Sequence, residues 1–379
     1  MGCNACGFNE EEAQYRFPFR EEEIGVNKPS QSKDFSDFMS KFDQNLHYFG
    51  KYIDPEELKK IIPEEFNNYM KENPFKIKKE ETGETGETYE TKPIKFKNGN
   101  VYHGNWNKNY KMEGKGKYYL KEENVFAEGN WVNGELKYAR VFLPNGDIYE
   151  GELRDSMFNG HGKLISHNSN DIYEGNFVNG EKTGKGKITF SDGTIYEGEL
   201  ENGEFKGNGK MTWTNGYKYD GEFNGHFLNG KGTLTCPNKD VYNGDFENSY
   251  FHGKGKYTFY KTGNEYDGDF QYGVRKGKGN YSVPNKYKYK GNWDNDLPCG
   301  IGRLMNWDES SVLKCTWRFG KIAEEPVYES GSEEDFNSID KNIEPEMIDV
   351  NIRQLPHIDM TENESTQYKI ETCPSFLEE

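Results

Sequence analysis

A block of the form apolar-Tyr-x-Gly-x-(aromatic or Leu) recurs along this chain, its glycine standing at 104, 129, 151, 175, 198, 221, 244, 268 and 291. The spacing stays between 22 and 25 residues. A fixed period of this length limits the chain to a stacked repeat, because a single unit is too small to bury its own apolar face and needs its neighbours. A second half-motif, Gly-x-Gly, follows nine and eleven residues after most of these glycines, as in Gly160/Gly162, Gly184/Gly186, Gly207/Gly209 and Gly253/Gly255. The first block has it one residue later, at Gly114/Gly116. In the second block the same spacing lands on Tyr138 and Arg140, which predicts an altered local twist there.

Both half-motifs read as strands. In Ile195-Tyr196-Glu197-Gly198-Glu199-Leu200 the period of two puts Tyr196, Gly198 and Leu200 on one face and the two glutamates on the other. Each repeat is then a β-hairpin with an aromatic-and-glycine face and a charged face. Tyr102, Tyr149, Tyr173, Tyr196, Tyr219, Tyr242, Tyr266 and Tyr289 form the expected ring row, over Gly151, Gly175, Gly198, Gly221, Gly244, Gly268 and Gly291. Composition agrees: only 32% of residues are hydrophobic, yet aromatic residues make up 15% of the chain and 43 are glycine. The pairs Asn98-Gly99, Asn145-Gly146, Asp192-Gly193 and Asn215-Gly216 connect successive hairpins and predict type I′ turns. The fold class expected is all-β, an elongated antiparallel β-hairpin solenoid with a small N-terminal helical region and disordered termini.

This pattern resembles the MORN-repeat family (membrane occupation and recognition nexus), with its Tyr-x-Gly-x-aromatic strand followed by Gly-x-Gly. The resemblance covers residues 94–322 as nine repeats plus a degenerate tenth, Val312 to Trp317, in which Cys315 stands where glycine is expected. The tenth unit is expected to cap the open sheet edge. No kinase block follows the array and no His, Cys or Ser is paired with a plausible base in sequence, so a binding scaffold rather than an enzyme is expected. Family members include membrane tethers, lipid kinases, radial spoke head proteins and cortical scaffolds, so the resemblance implies architecture more firmly than role.

Outside the repeats, the chain opens Met1-Gly2-Cys3-Asn4-Ala5-Cys6. A glycine exposed at position 2 is an N-myristoylation acceptor and neighbouring cysteines accept palmitate, so Gly2, Cys3 and Cys6 are the expected lipidation sites, as in dually acylated kinases that this start resembles. Residues 1–33 are read as an acylated flexible terminus and 34–75 as a helical cap or docking segment. Within the latter, Phe35, Phe38, Met39, Phe42 and Leu46 recur at helical steps, and Asp54-Pro55-Glu56-Glu57 is a helix start. The low-complexity stretch Glu80–Glu90 places a linker at 76–93. Residues 323–379 are read as an acidic disordered tail.

Charge separates these regions: residues 1–90 carry −8, 91–320 carry +3 and 321–379 carry −12, within a total of −17. No nucleic-acid partner is expected of such a chain. No apolar run is long enough for a membrane helix, and residues 1–20 lack the core of a secretory signal, so the chain is expected in the cytosol, and with the acyl chains at the cytosolic face of a membrane, plasma, ciliary or cortical; the alternative is the cytoskeleton or cilium. The six cysteines and seven histidines show no metal-ligand spacing, so no metal and no cofactor is expected. Gly225 to Lys231 imitates the first seven positions of a phosphate-binding loop, but Gly232 follows where Ser or Thr is needed. No catalytic residue is assigned.

Lys117, Lys163, Lys187, Lys210, Lys256 and Arg303 share one repeat position and suggest phosphoinositide contact. An acidic ladder (Glu150, Glu174, Glu197, Asp220 and Asp267 among it) faces them, so the contact is expected to be weak. The function expected is a non-enzymatic, membrane-anchored scaffold with cytoskeletal or cortical protein partners docking on the aromatic face. The alternatives are a structural subunit of a ciliary or cytoskeletal assembly, and a phosphoinositide-binding module.

Overall fold

The computed structural model describes residues 50–72, 74–75, 88–109, 111–331 and 345–346. Among these residues are 24 strands, all pairing antiparallel, and two helices. The chain divides into two compact units, residues 1–191 and 192–379.

In the first unit β1 (Gly50–Tyr52), β2 (Thr88–Glu90), β3 (Ile94–Phe96) and β4 (Val101–Asn107) build the starting edge. Both β2 and β3 pair with β4, through Tyr89 with Trp106 and Ile94 with Tyr102, and β1 pairs with β3. Two sequence expectations change here. Residues 50–52 were expected to be helical and 88–90 to be linker, and both are strand. The open edge of the first hairpin presents unpaired backbone groups, and satisfying them outweighs local composition. The stripe from Phe35 to Leu46 lies outside the described residues.

Helix α1 (Pro55–Ile61) starts as expected, the Asp54 carboxylate accepting from the Glu56 N–H at 2.7 Å with Pro55 in the first turn. Helix α2 (Glu64–Glu72) follows. Ile53, Leu58 and Ile62 pack with Val101, Tyr119, Phe126 and Phe142. These partners alternate with the ring row, so the helices cap the opposite sheet face.

The second block is where this cap sits, and its departures from the repeat have a cause. Its hairpin is one residue shorter, so Gly129 faces Ala139, not Tyr138 or Arg140. The spacing-based assignment of those two residues to the glycine slots is therefore corrected. Ala127 stands where the other repeats have tyrosine, and with no ring over the slot the methyl group of Ala139 fits. Tyr138 and Arg140 are freed for the cap: Phe75 stacks on Tyr138 at 5.9 Å, and the Arg140 guanidinium lies 5.6 Å from the Tyr69 ring and 5.1 Å from the Phe75 ring.

In the second unit strands follow in chain order from Ile195–Glu201 to Val312–Arg318, each paired with the next. The register aligns Gly198, Gly209, Gly221, Gly232, Gly244, Gly255, Gly268, Gly279 and Gly291 across the sheet. The last long strand is covered by Lys321–Ile322 and by Val327–Ser330. Residues 327–330 thus correct the expectation of a wholly disordered tail, as does the docked pair Pro345–Glu346.

The two glycines of the Gly-x-Gly motif do different work. Gly207, at φ +62°, lies at the bulge that follows the turn. Gly209 is excluded from carrying a Cβ, which would lie 2.7 to 3.0 Å from ring and hydroxyl atoms of Tyr196. Turn chemistry also departs from expectation. The Asn-Gly connections between hairpins are three-residue loops, closed for Asn145-Gly146 by Gly146 N–H to Leu143 O at 3.0 Å and Leu143 N–H to Asp147 O at 2.9 Å. Only the glycine has positive φ there, giving a type I turn with a glycine bulge. Pairs of positive φ occur within the hairpins instead, as at Asn133-Gly134 (53° and 89°) and Asn202-Gly203 (52° and 83°).

Candidate binding surface

The ring row turns out to be the core. Tyr196 stacks on Phe205 at 3.9 Å and meets Phe223 edge-on at 5.2 Å, and Tyr242 repeats this with Phe251 and Phe270. All eight repeat tyrosines are at most 2% exposed. Each donates its hydroxyl to the backbone carbonyl three residues on, as Tyr196 does to Glu199 O at 2.7 Å and Tyr219 to Glu222 O at 2.9 Å. Burial raises their pKa values, that of Tyr173 to about 12, and keeps the hydroxyls neutral donors. The aromatic face is therefore unavailable as a docking face, contrary to expectation. With no second sheet against it among the described residues, the ring layer packs on itself, as stacked and edge-on rings over bare glycine.

The opposite face carries charge in cross-strand pairs. Lys210 meets Asp220 at 2.9 Å, Lys231 meets Asp245 at 2.8 Å and Lys256 meets Glu265 at 2.9 Å. Several acidic side chains also accept backbone N–H groups beside the bulge, as Glu222 does from Lys231 at 3.0 Å and Asp269 from Lys278 at 2.9 Å. These contacts leave little uncompensated charge for an anionic surface. One row differs: Lys290, Arg303 and Lys314 face one another across three strands. Glu329, on the strand Val327–Ser330, answers them with hydrogen bonds from Arg303 at 2.6 and 3.2 Å.

The two most exposed rings among the described residues lie at hairpin turns. Tyr272 is 64% and Phe319 87% exposed. Both have positive φ, 48° and 50°. The same turn position in the other repeats, from the second onward, holds Asn133, Asp155, Asn179, Asn202, Gly225, Asn248 and Asn295. Those residue types tolerate left-handed backbone, whereas a bulky aromatic is strained there. Beside Phe319 lies a shallow groove lined by Leu297, Pro298, Cys299 and Trp317. Near Tyr272, the rings of Tyr250 and His252 approach at 6.2 and 5.5 Å.

The expected repeat residues take the places described, in both units. Gly2, Cys3 and Cys6 lie outside the described residues. Among those residues no group of three or more His, Cys, Asp or Glu is placed to hold a metal. Gly225 to Lys231 forms a hairpin turn and the strand after it, with no helix to receive a phosphate. Cys236 and Cys315 are buried, and burial raises the thiol pKa of the half-buried Cys299. Cys315 repeats the logic of Ala139: Leu313 stands in the tyrosine place, so the slot facing Gly302 accepts a side chain. Sequence reading missed Tyr272 and Phe319, which stand out once the turn column of the repeats is aligned. It also missed Arg275, a fully buried cation in a column that reads Phe158, Phe205, Leu228, Phe251 and Pro298 in other repeats and Lys182, only half-buried, in one more.

The MORN-repeat family model matches eight segments, residues 102–122, 149–170, 173–195, 196–216, 219–241, 242–262, 266–285 and 289–305, so this chain carries eight MORN repeats. The hairpin of the second block, without its tyrosine, is not among them but takes its place in the sheet. Among solved structures, the chain is similar to the TCP10 domain of Danio rerio CPAP at 15% identity and TM-score 0.30, covering 48% of this chain and 84% of that one. It is also similar to the TCP10c domain of Drosophila melanogaster Sas-4 at 16% identity and TM-score 0.25, covering 40% and 88%. A search of curated proteins finds no match.

Proposed function

We propose that this protein is a non-enzymatic docking scaffold, held at the cytosolic face of a membrane by acyl chains on Gly2, Cys3 and Cys6, with its partners engaged at the hairpin turns. The observation that carries the docking role is the placement of Tyr272 and Phe319, two exposed rings held in left-handed turns where the other repeats use Asn, Asp or Gly. Strain of this kind persists where function needs it, and aromatic residues dominate binding hot spots. A repeat array suits such a role because its neighbouring units hold the turns in fixed register. Anchoring rests on the sequence of the N-terminus: one myristoyl chain binds membranes marginally, and a second or third chain makes the attachment stable.

Two measurements on the full chain test the halves separately. Proximity labelling of the parent and of a Tyr272→Asn/Phe319→Asn variant should show partners, cortical or cytoskeletal in kind, labelled by the parent and lost from the variant. Identical labelling refutes docking at the turns. Fractionation should place the parent with membranes and Gly2→Ala in the soluble fraction. Retention of both proteins in a detergent-insoluble cytoskeletal pellet would replace the anchor with the alternative, a subunit of a ciliary or cytoskeletal assembly.

A further inference from the structure

Arg275 breaks the repeat in a way that the scaffold reading does not use. Its side chain is wholly buried and paired with Asp296, itself buried, at 3.0 Å from Nε to the carboxylate. The guanidinium lies 5.1 Å from the Trp293 ring and 5.6 Å from that of Tyr266. In the repeat two units earlier, Leu228 and Ser249 make the same backbone contacts, Leu228 N–H to the Ser249 hydroxyl and Ser249 N–H to Leu228 O. Arg275 and Asp296 reproduce both, so the ion pair is not needed to join these strands. What it adds is a charged donor aimed at another part of the chain: Arg275 donates from a terminal nitrogen to the backbone carbonyl of Glu346 at 3.2 Å.

The groups around it complete a reading of that residue. The Tyr281 hydroxyl accepts the Glu346 N–H at 3.1 Å. The Glu346 carboxylate accepts from the Thr262 hydroxyl at 2.6 Å and from the Asn264 amide at 3.1 Å. Asn264 also donates to Tyr281 at 3.0 Å, which orients the hydroxyl. Pro345 is buried beside them. Both backbone polar groups and the carboxylate of one residue are thus met by side chains, and the preceding proline brings a fixed φ and no backbone donor.

We propose that Thr262, Asn264, Arg275, Tyr281 and Asp296 form a binding site for a Pro-Glu segment, and that its occupant is Pro345–Glu346 of the same chain. Tethering gives such a segment an effective concentration near millimolar, so the site is closed to the same peptide supplied from outside until the tail leaves.

The test is fluorescence anisotropy with a labelled peptide of residues 341–350 and three full-length proteins. The first is the parent, the second Pro345→Ala/Glu346→Ala, and the third carries those changes with Arg275→Leu/Asp296→Ser. The last pair copies Leu228/Ser249 and keeps both backbone hydrogen bonds available. The second protein should bind the peptide at least about tenfold more tightly than the parent, a difference of about 1.4 kcal/mol. The third should lose that gain, as should a peptide with Glu346→Ala. Thr262→Val/Asn264→Ala in the second protein checks the site without touching the ion pair and should weaken binding in the same direction. Equal affinity of the first two proteins, no binding by the second, or indifference to the peptide's glutamate overturns the proposal. A dimer of the parent that dissociates on Glu346→Ala would assign the segment to a second copy and overturn the intramolecular occupancy.

Discussion

The pairing of ring and glycine is sharpest at Tyr196 and Gly209. A Cβ at Gly209 meets atoms of one side chain, at 2.7, 2.8 and 3.0 Å, all in the Tyr196 ring or its hydroxyl. That ring has no room to withdraw: it is fully buried, stacked on Phe205 at 3.9 Å and tied to Glu199 O at 2.7 Å. Gly209→Ala should therefore destabilise by about 1 to 3 kcal/mol, as overpacking of a filled site does. Tyr196→Ala should remove about 3 to 5 kcal/mol, the range for truncating a buried aromatic ring. The double variant copies Ala127 and Ala139 of the second repeat, which coexist in the native fold. Once the ring is gone the new methyl group has nothing to strike, so the double variant should be no less stable than Tyr196→Ala alone. The coupling expected is about 1 to 3 kcal/mol, within the range for residues in contact. Native-state hydrogen exchange of amides 196–212 reads the local opening free energy, which a global unfolding curve of a repeat array does not report cleanly. Strict additivity of the two losses would refute the assignment of Gly209 to a slot reserved for the tyrosine ring.

Tyr272→Asn and Phe319→Asn should each stabilise their turns, by up to about 1 kcal/mol from relief of left-handed strain, while weakening partner binding; thermal denaturation beside the labelling experiment checks both signs. Asp296→Ala should destabilise by about 3 to 5 kcal/mol, since it leaves the Arg275 guanidinium buried without its carboxylate, whereas Arg275→Leu/Asp296→Ser should be close to neutral in denaturant unfolding. The hydrogen bond from Arg303 lowers the pKa of Glu329. Burial pushes Asp245 and Asp269 up, but their lysine partners and backbone N–H groups outweigh it and leave both lowered. A carboxylate lowered in the fold contributes stability above its unfolded pKa and loses it as pH falls through the folded value, so amide protection at 327–330 should fade below the ordinary glutamate range, and Glu329→Gln should abolish that pH dependence. Cys3→Ser/Cys6→Ser should leave the chain weakly and reversibly membrane-bound, read as loss from the pellet on washing.

The repeat was legible from the sequence because it is a local property. The period of 22 to 25 residues set the hairpins, and the alternation of Tyr196, Glu197, Gly198 and Glu199 set their faces. The start of α1 at Asp54-Pro55 was legible for the same reason, since a helix cap is read within four residues. Family resemblance added architecture, and the matched MORN segments bear it out for eight repeats.

What the sequence could not assign depends on contacts far apart in the chain. Alternation shows that the tyrosines share a face, but whether that face meets solvent, a partner or itself is decided only when rings from neighbouring repeats interlock and exclude water. The strand at 50–52 forms because an edge 44 residues away leaves its hydrogen bonds open, as the pairing of Gly50 with Phe96 and Tyr52 with Ile94 shows. Ala139 rather than Arg140 faces Gly129 because a hairpin shortened by one residue shifts the register, and a shift of one exchanges the faces. Arg275 and Glu346 lie 71 residues apart, and nothing local to either announces the contact. Period, alternation and capping act over a few residues, so the sequence by itself determined the repeat, its hairpins and their two faces. Burial, register at the edges and the docking of the tail arise from packing between distant segments, and only the tertiary structure decided them.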